Sequence, residues 1–574
     1  MESPWDIRWE SFIIDTREWR VCRAEDRQIV RVKNRSGKSG RILSVPAVRI
    51  LVLMFRNKNR RISASDVDLL KDYSEDQRNT RFVDYVSQLR RGLNPEFDRD
   101  FILARRSVSQ AKATAYEFRG VTSLDENWHS PFPQIKAKVL PLIDENMVLE
   151  LGAEMGLEGT ALLSRTLEWK AQEDYHRVER LKAAQLKIRR EKRHTGLLKD
   201  YYPDDDLSAA GLVRYRLEID GSEITTNIAV PVSSVGMRVS LKEDQDRFHF
   251  SKVCSFLIPK PSLDDLARFI ASAWARNVVA KNDPIYCLQS FSPENLSSSM
   301  TFSLAKYFDH RLGYGRLWTE LCDALIETDF EPDRVMADKS NKLRLREKLL
   351  PTARQIINCS ARPCPGGVNV VVALRRVDED HDDFVFPIEQ RSHHVETAQG
   401  EESIIPSGFH AVLAERDAAK AVSPAHSVFR EVAEELFGRQ EFVSHAGQVE
   451  YELFPASFPP LHWFKTHPTQ FQHEVVSFGF DLIDGSYQFG ILLLIHNPDY
   501  WEQFKSLAFT NYEFKSTGKS AVVISTRNTD SLTQIFTNPL FADTSFIALV
   551  EALMRLKELE PERVSLPELT PIRA

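Results

Sequence analysis

The stretch FREVAEELFG, residues 429–438, sets Arg430, Glu431, Glu434 and Glu435 into ten residues. On a helix, positions i, i+3 and i+4 share a face, so Glu431, Glu434 and Glu435 point to one spot. Three carboxylates crowded in this way repel one another unless a cation sits among them. Hard oxygen donors in that geometry suit Mg2+ or Mn2+. The plainer alternative is a solvated, charged helix face.

A metal cluster needs neighbours that hold it. Val428, Val432 and Leu436 lie four apart and give the helix a core-facing side, with Ser423 or Pro424 as its cap and first residue. Ahead of it, GGVNVVVALRRV (366–377) has the β-branched run of a buried strand, and DEDHDD is a turn. FVFPIEQRS (384–392) reads as the return strand, and SIIPSGFHAV (403–412) as a short strand entering a glycine turn. Beyond it, QVEYELF, HEVVSFGFDL, FGILLLIHN and SAVVIST read as strands. PDYWEQFKSL reads as a helix and TSFIALVEALMRLKEL as a terminal helix.

With these flanks, residues of about 364–558 resemble the Nudix hydrolase family. Gly408 and Glu415 match the first part of its signature; Arg430, Glu431, Val432, Glu434, Glu435 and Gly438 match the second. PSG stands where the family often has PGG. The resemblance implies an α/β/α sandwich around a mixed sheet. It also implies a magnesium-dependent pyrophosphohydrolase acting on a nucleoside diphosphate linked to another group. Glu431, Glu434 and Glu435, with Glu415, would be the metal ligands, Arg430 would orient a glutamate, and Gly408 would belong to the substrate loop. Three departures stand out. Six residues rather than five separate Gly408 from Glu415, fourteen rather than seven separate Glu415 from Arg430, and Gly438 lies one place late. The metal helix is intact, but the loop presenting substrate to it is longer. Trp463, Phe464 and Tyr512 are candidates to stack a base, though each residue type is more often core.

The chain has 574 residues, too many for one ordinary core, so several domains are expected. No stretch has the roughly 18 apolar residues of a membrane span, and the N-terminus MESPWDIRWESF has no apolar signal core. A cytoplasmic protein that does not enter the membrane is expected. Of the six cysteines only CSARPC, Cys359 to Cys364, forms a close pair, too widely spaced for a CxxC motif and without a second pair to make a zinc site. Reduced, structural thiols are the expectation.

Net charge is −7 but uneven: residues 1–120 hold 25 Lys and Arg against 17 Asp and Glu, and the remainder is acidic. A basic head suits a polyanionic partner. SFIIDT, EWRVCRAE and RQIVRVKN read as strands and NRSGKSGR (34–41) as a loop. Three helices follow, beginning near Pro46, near Ser63 or Ser65, and in NTRFVDYVSQLRRGLNP. DFILARRS and TAYEFRG then form a hairpin. In that order these elements describe a winged helix. Val83, Val86, Leu89, Arg90, Arg91, Leu93, Tyr116, Phe118 and Arg119 make residues of about 8–120 resemble the DNA-binding output domain of bacterial response regulators. Arg81, Tyr85 and Gln88 would face bases. Arg78, Arg90, Arg91, Arg105, Arg106 and Lys112 would neutralise phosphates of double-stranded DNA. The alternative is a winged helix used for protein contacts.

Residues 159–194 read as one long helix after a linker. Leu163, Leu167, Ala171, Tyr175, Val178 and Leu181 form a seam that either pairs with a second copy, giving a homodimer, or lies on the neighbouring domain. Residues 200–358 form an α+β region without a recognisable signature, including a strand pair around Asp220-Gly221. There, Asp309 and His310 lack ligand spacing and read as structural.

The expected fold class is therefore multidomain α+β. A winged helix spans 1–120, a helical linker 121–199, an unassigned α+β region 200–358, a Nudix-like α/β/α sandwich 359–560, and a tail 561–574. The expected function is a DNA-binding regulator whose Nudix-type domain binds and hydrolyses a nucleoside-diphosphate derivative with Mg2+. Two alternatives remain open. One is a catalytically inactive Nudix-like ligand sensor controlling transcription; the other is a Nudix hydrolase whose winged helix mediates protein contacts.

Overall fold

A computed structural model of the chain describes residues 143–572 apart from 144, 173–174, 235, 257–261, 276–281, 293–298, 391–399, 413–414, 439–452, 455–457, 506–507 and 509–521. Of the residues before 143 it describes eight strands only. The chain divides into two compact units, Met1–Val139 and Leu140–Ala574.

In the first unit, Ser39–Ser44, Ile29–Asn34, Trp19–Arg23, Ile13–Asp15 and Ser123–Asp125 lie side by side in that order as an antiparallel sheet. Ile102–Arg106 and Ala113–Phe118 form the expected hairpin, with Arg61–Ile62 on the other side of the latter strand. The stretch expected as a loop through residue 41 enters its strand at Ser39. The three expected helices, with Arg78, Arg81, Tyr85, Gln88, Arg90 and Arg91, lie outside the described residues, as does Lys112; for Arg105 and Arg106 only the strand is described.

The second unit is built on one eleven-stranded mixed sheet. Its strands are β1 (Leu212–Ile219), β2 (Ser222–Pro231), β3 (Val239–Ser240), β4 (Gly366–Val377), β5 (Asp382–Gln390), β6 (Glu402–Ile404), β7 (Ser407–Phe409), β8 (Phe471–Asp481), β9 (Tyr487–Ile495), β10 (Val522–Ser525) and β11 (Leu569–Ile572). The main path runs β6-β5-β4-β9-β8-β2-β1-β11, with β7 on β4, β10 on β5 and β3 on β8. Among the described strands of this sheet only β4 and β9 pair in parallel, Val370 opposite Ile491. The boundary expected at residue 358 therefore gives way to continuous sheet: β1 and β2 of the middle region and β11 of the tail extend it. Asp220 and Gly221 both have positive φ, the turn their sequence called for.

Four helices matter for the site: α1 (Tyr175–Arg190), α2 (Arg193–Tyr201), α3 (Pro424–Glu431) and α4 (Asp543–Leu559). Helices cover both faces of the sheet. Val370 and Val372 of β4 and Phe489 and Ile491 of β9 share a core with Val428 and Phe429 of α3 and with Val432 just after it. On the opposite face, Val371, Ala373, Leu492 and Leu494 meet Phe546, Leu549 and Leu553 of α4. The near-continuous apolar runs of β4 and β9 are what a strand buried on both faces requires.

The long helix expected over 159–194 ends at Arg190, where Glu191 and Lys192 turn the chain and Lys192 takes φ 50° before α2 begins. In the preceding helix, Gly159–Gln172, Leu162 and Thr166 are fully buried, while the seam residue Leu167 is exposed. Leu162 packs on Leu266 and Ile270 of the Leu263–Ala275 helix. Among the described residues no helix is long and apolar enough to cross a membrane.

Candidate functional site

Helix α3 starts as its sequence dictates. Ser423 is the N-cap, its hydroxyl accepting from the Ala425 N–H, and Pro424 takes the first position. After Glu431 the backbone widens into a π turn over Val432–Leu436. The three glutamates thus do not lie on one regular α face, because the wider turn changes the angular step between Glu431 and Glu434.

Glu431 and Glu435 both reach Ser407–Phe409, the short strand β7 within the loop that runs from β6 towards α3. The Glu431 carboxyl fills the space above Gly408, where a Cβ would stand 2.3 Å from its carboxyl carbon. Only glycine fits there. Arg430 donates to Glu431 and to the Phe409 carbonyl at 2.8 Å, so it orients that glutamate against the loop. Glu435 accepts the Ser407 N–H at 2.6 Å. Glu434 is half-buried in the π turn. Glu415 goes elsewhere: it is exposed and pairs with Lys306 at 3.0 Å. Among the described residues no group of three or more His, Cys, Asp or Glu side chains is arranged to hold a metal ion. As a fit for Mg2+ the helix offers two carboxylates on one loop, one of them already paired with Arg430.

Trp463 and Phe464 do not face a ligand. Both are buried, Phe464 against Phe429 of α3 and Trp463 stacked on His467. Tyr512 lies outside the described residues.

The far side of the same loop lines a cavity of about 220 Å³. Ser407, Gly408 and Phe409 form one wall, Asn369 of β4 and Gln488 of β9 the floor, and Asp543–Ser545 at the start of α4 another wall. The rest comes from upstream: Arg189, Lys192 and His194 at the α1–α2 junction, Asn227 of β2, and His310, Arg311 and Trp318 of the middle region.

Several charged groups of this lining are paired with polar neighbours. Lys192 pairs with Asp543 at 2.6 Å, Arg189 with Glu401, and His310 with Asp484 at 3.4 Å. Burial would raise the Asp543 carboxyl, but Lys192 holds it below its ordinary range. Burial likewise opposes ionisation of Asp484, yet hydrogen bonds from His310 and Ser486 hold it well below that range. Asp481 goes the other way: burial, then the Asp484 charge, push it well up. Burial lowers His194 to about 3, keeping it neutral.

Polar atoms are left over. Among the described residues, His194 Nδ1, Asn227 Oδ1, His310 Nδ1 and Ser403 Oγ are buried without a hydrogen-bond partner, and all four residues line the cavity. Such atoms are rare in folded proteins and mark places where a water or a ligand completes the bonding. Arg189 lies 4.4 Å over the Trp318 ring, and His194 meets that ring edge-on at 5.6 Å.

Of the residues singled out from sequence, the structure brings Gly408, Arg430, Glu431 and Glu435 together and sets Glu415 apart. His310, read as structural, is a cavity residue. The signal missed was spatial: the cavity draws on segments spread from Arg189 to Ser545, and apart from Ser407 and Gly408 none carries a motif. Searches against protein-family models and against curated proteins find no match for this chain.

Proposed function

We propose that Leu140–Ala574 binds a nucleoside-diphosphate derivative, and that this ligand sensing governs the basic N-terminal unit, which binds double-stranded DNA. One observation carries the ligand reading. The Ser407–Phe409 loop is held from one side by Glu431 and Glu435 and walls a cavity with the other. In the Nudix-like reading Gly408 belongs to the substrate loop. The cavity falls below the roughly 300–1,000 Å³ usual for ligand pockets, so it suits the nucleoside end of a ligand rather than a whole dinucleotide. Its paired charges and its unmatched donors and acceptors favour an uncharged, hydrogen-bonding group such as a base and ribose.

Sensing without turnover is the reading favoured by the finding that, among the described residues, no group of three or more His, Cys, Asp or Glu side chains is arranged to hold a metal ion. Hydrolysis is the second reading, favoured by the close seat of Glu431 on Gly408. In that case Glu431, Glu434 and Glu435 would hold Mg2+ or Mn2+, which would supply charge screening for the diphosphate and a more acidic attacking water. The basic head supports the DNA reading, since 25 Lys and Arg face 17 Asp and Glu over residues 1–120.

A nucleotide panel with and without Mg2+ tests both readings on the full chain. Saturable binding without release of monophosphate supports the sensor. Release that Glu431→Gln and Glu435→Gln abolish supports the hydrolase. No binding of any nucleotide under either condition rejects the ligand reading. For the head, a fragment pulldown from genomic DNA at moderate salt should retain DNA and lose it steeply as salt rises.

A further inference from the structure

CSARPC places two cysteines around a buried arginine at the foot of β4, and the ligand reading leaves this cluster unused. The Cys359 and Cys364 sulfurs are 3.5 Å apart, Cys359 donating its S–H to Cys364, and both residues are buried. Arg362, 3% exposed, donates to four backbone carbonyls: Gln355 at 3.2 Å, Ile356 at 2.5 Å, Pro363 at 3.1 Å and Gly485 at 2.7 Å. Among the described residues no carboxylate lies within ion-pair distance of this guanidinium. A buried cation calls for a counter-charge, and the Cys364 thiol is placed to become one. Burial raises both thiols. For Cys364 the hydrogen bond from Cys359 and the Arg362 charge outweigh burial and hold it below its ordinary value, while Cys359 stays well above. Cys364, beside the guanidinium and 3.5 Å from the Cys359 sulfur, is the thiol placed to attack.

The cluster also touches the cavity. In its thiol form Cys364 donates to the Gly485 carbonyl at 3.5 Å, the same oxygen that Arg362 holds. Gly485 has φ +74°, and a Cβ there would stand 2.8 Å from the guanidinium, so this turn and Arg362 are built against each other. The turn belongs to the Asp481–Ser486 loop, of which Asp481, Ile483, Asp484 and Ser486 line the cavity.

We propose that Cys359 and Cys364 form a reversible disulfide, a redox modification site that acts on the Asp481–Ser486 loop. The oxidant is a peroxide. The Cys364 thiolate attacks one peroxide oxygen, the O–O bond breaks, and the leaving hydroxide takes a proton to become water, giving a sulfenic acid. The Cys359 sulfur then attacks the Cys364 sulfur, the S–O bond breaks, and hydroxide leaves with the Cys359 proton as a second water. Two thiols are oxidised to one disulfide, and hydrogen peroxide is reduced to two waters. Peroxide reaches the pair by local opening of the short Cys359–Ala361 turn, whose neighbours Asn358, Ser360 and Ala361 are exposed. The disulfide removes the S–H that the thiol form donates to the Gly485 carbonyl and takes from Arg362 the thiolate that the other form would offer it, and the loop shifts. None of this rests on which ligand the cavity takes.

The test is to treat the full-length protein with a few equivalents of hydrogen peroxide, alkylate it under denaturing conditions and map its peptides by mass spectrometry. A Cys359–Cys364 cross-link, two hydrogens lighter and reversed by dithiothreitol, should form before Cys254 oxidises, although Cys254 is the more exposed thiol. Cys359→Ser should leave Cys364 as a sulfenic acid trapped by dimedone. Arg362→Lys should slow cross-linking several-fold if its charge matters, and in a folded Arg362→Lys protein an unchanged rate would remove the arginine from the account. Hydrogen exchange should change at 481–486 on oxidation. Two thiols that stay alkylatable while Cys254 oxidises would overturn the proposal, and unaltered exchange at 481–486 would overturn its link to the loop.

Discussion

Gly408 shows how one residue can be dictated by a side chain twenty-three positions away in sequence. Its missing Cβ is the seat of the Glu431 carboxyl. Gly408→Ala must push Glu431 and Arg430 off the loop. A loss of about 1–3 kcal/mol is expected, the usual range for overpacking a tight site. Urea denaturation measures it, and nucleotide binding should weaken in the same protein. Lys192 offers a sharper case at the cavity. Lys192→Met leaves the Asp543 carboxylate buried without its cation, and removing one partner of a buried pair costs about 3–5 kcal/mol. Lys192→Met with Asp543→Asn should recover much of that loss in a double-mutant cycle, since the neutral amide no longer needs the charge. The glutamates were legible in sequence because Glu431 and Glu435 stand in a fixed local frame. The cavity was not, because Asn227, His310 and Asp481 are unremarkable until the sheet brings them to one place.

At the scale of elements, local pattern and tertiary partner separate cleanly. β4, β8, β9 and α4 fall where their apolar runs put them, because burial on one or both faces writes itself into the sequence. The π turn after Glu431 left no such mark. Its residues are ordinary helix formers, and the widening is a tertiary accommodation. Nor did the β1–β2 hairpin announce its neighbours: its Asp-Gly turn fixes the hairpin but not that β2 pairs with β8 or β1 with β11. That is why a separate region was expected over 200–358. The tail strand gives a test of the sheet's reach. Deleting residues 565–574 exposes the free edge of β1, and hydrogen exchange should quicken over Leu212–Ile219 while β4 and β9 keep their protection. Equal loss of protection in β4 would mean that the tail supports the whole sheet.

Across the whole second unit, buried histidines set the response to acid. Burial lowers His194 and His410 to about 3 and His473 to about 4. Each stays neutral when folded and takes up a proton near pH 6.5 only when unfolded. The unfolded chain therefore binds more protons between about pH 6.5 and 3, and stability falls as pH drops through that window. Each such group contributes a slope of at most about 1.4 kcal/mol per pH unit. Asp481, pushed up, acts with the opposite sign and favours the fold as pH falls. The melting temperature should hold above pH 6.5 and decline below it, and His410→Gln should flatten the decline if the variant folds. A melting temperature constant from pH 6.5 to 4.5 would show that these rings are not buried neutral.

Ligand binding in the cavity behind the Ser407–Phe409 loop is the central claim. Isothermal titration calorimetry of the full-length protein with a panel of nucleosides, nucleoside diphosphates and nucleoside-diphosphate conjugates, with and without Mg2+, tests it most directly. Saturable binding of at least one member is predicted, abolished or strongly weakened by Asn227→Leu in a protein that still melts cooperatively. Absence of heat across the panel, or binding that Asn227→Leu leaves untouched, would contradict it.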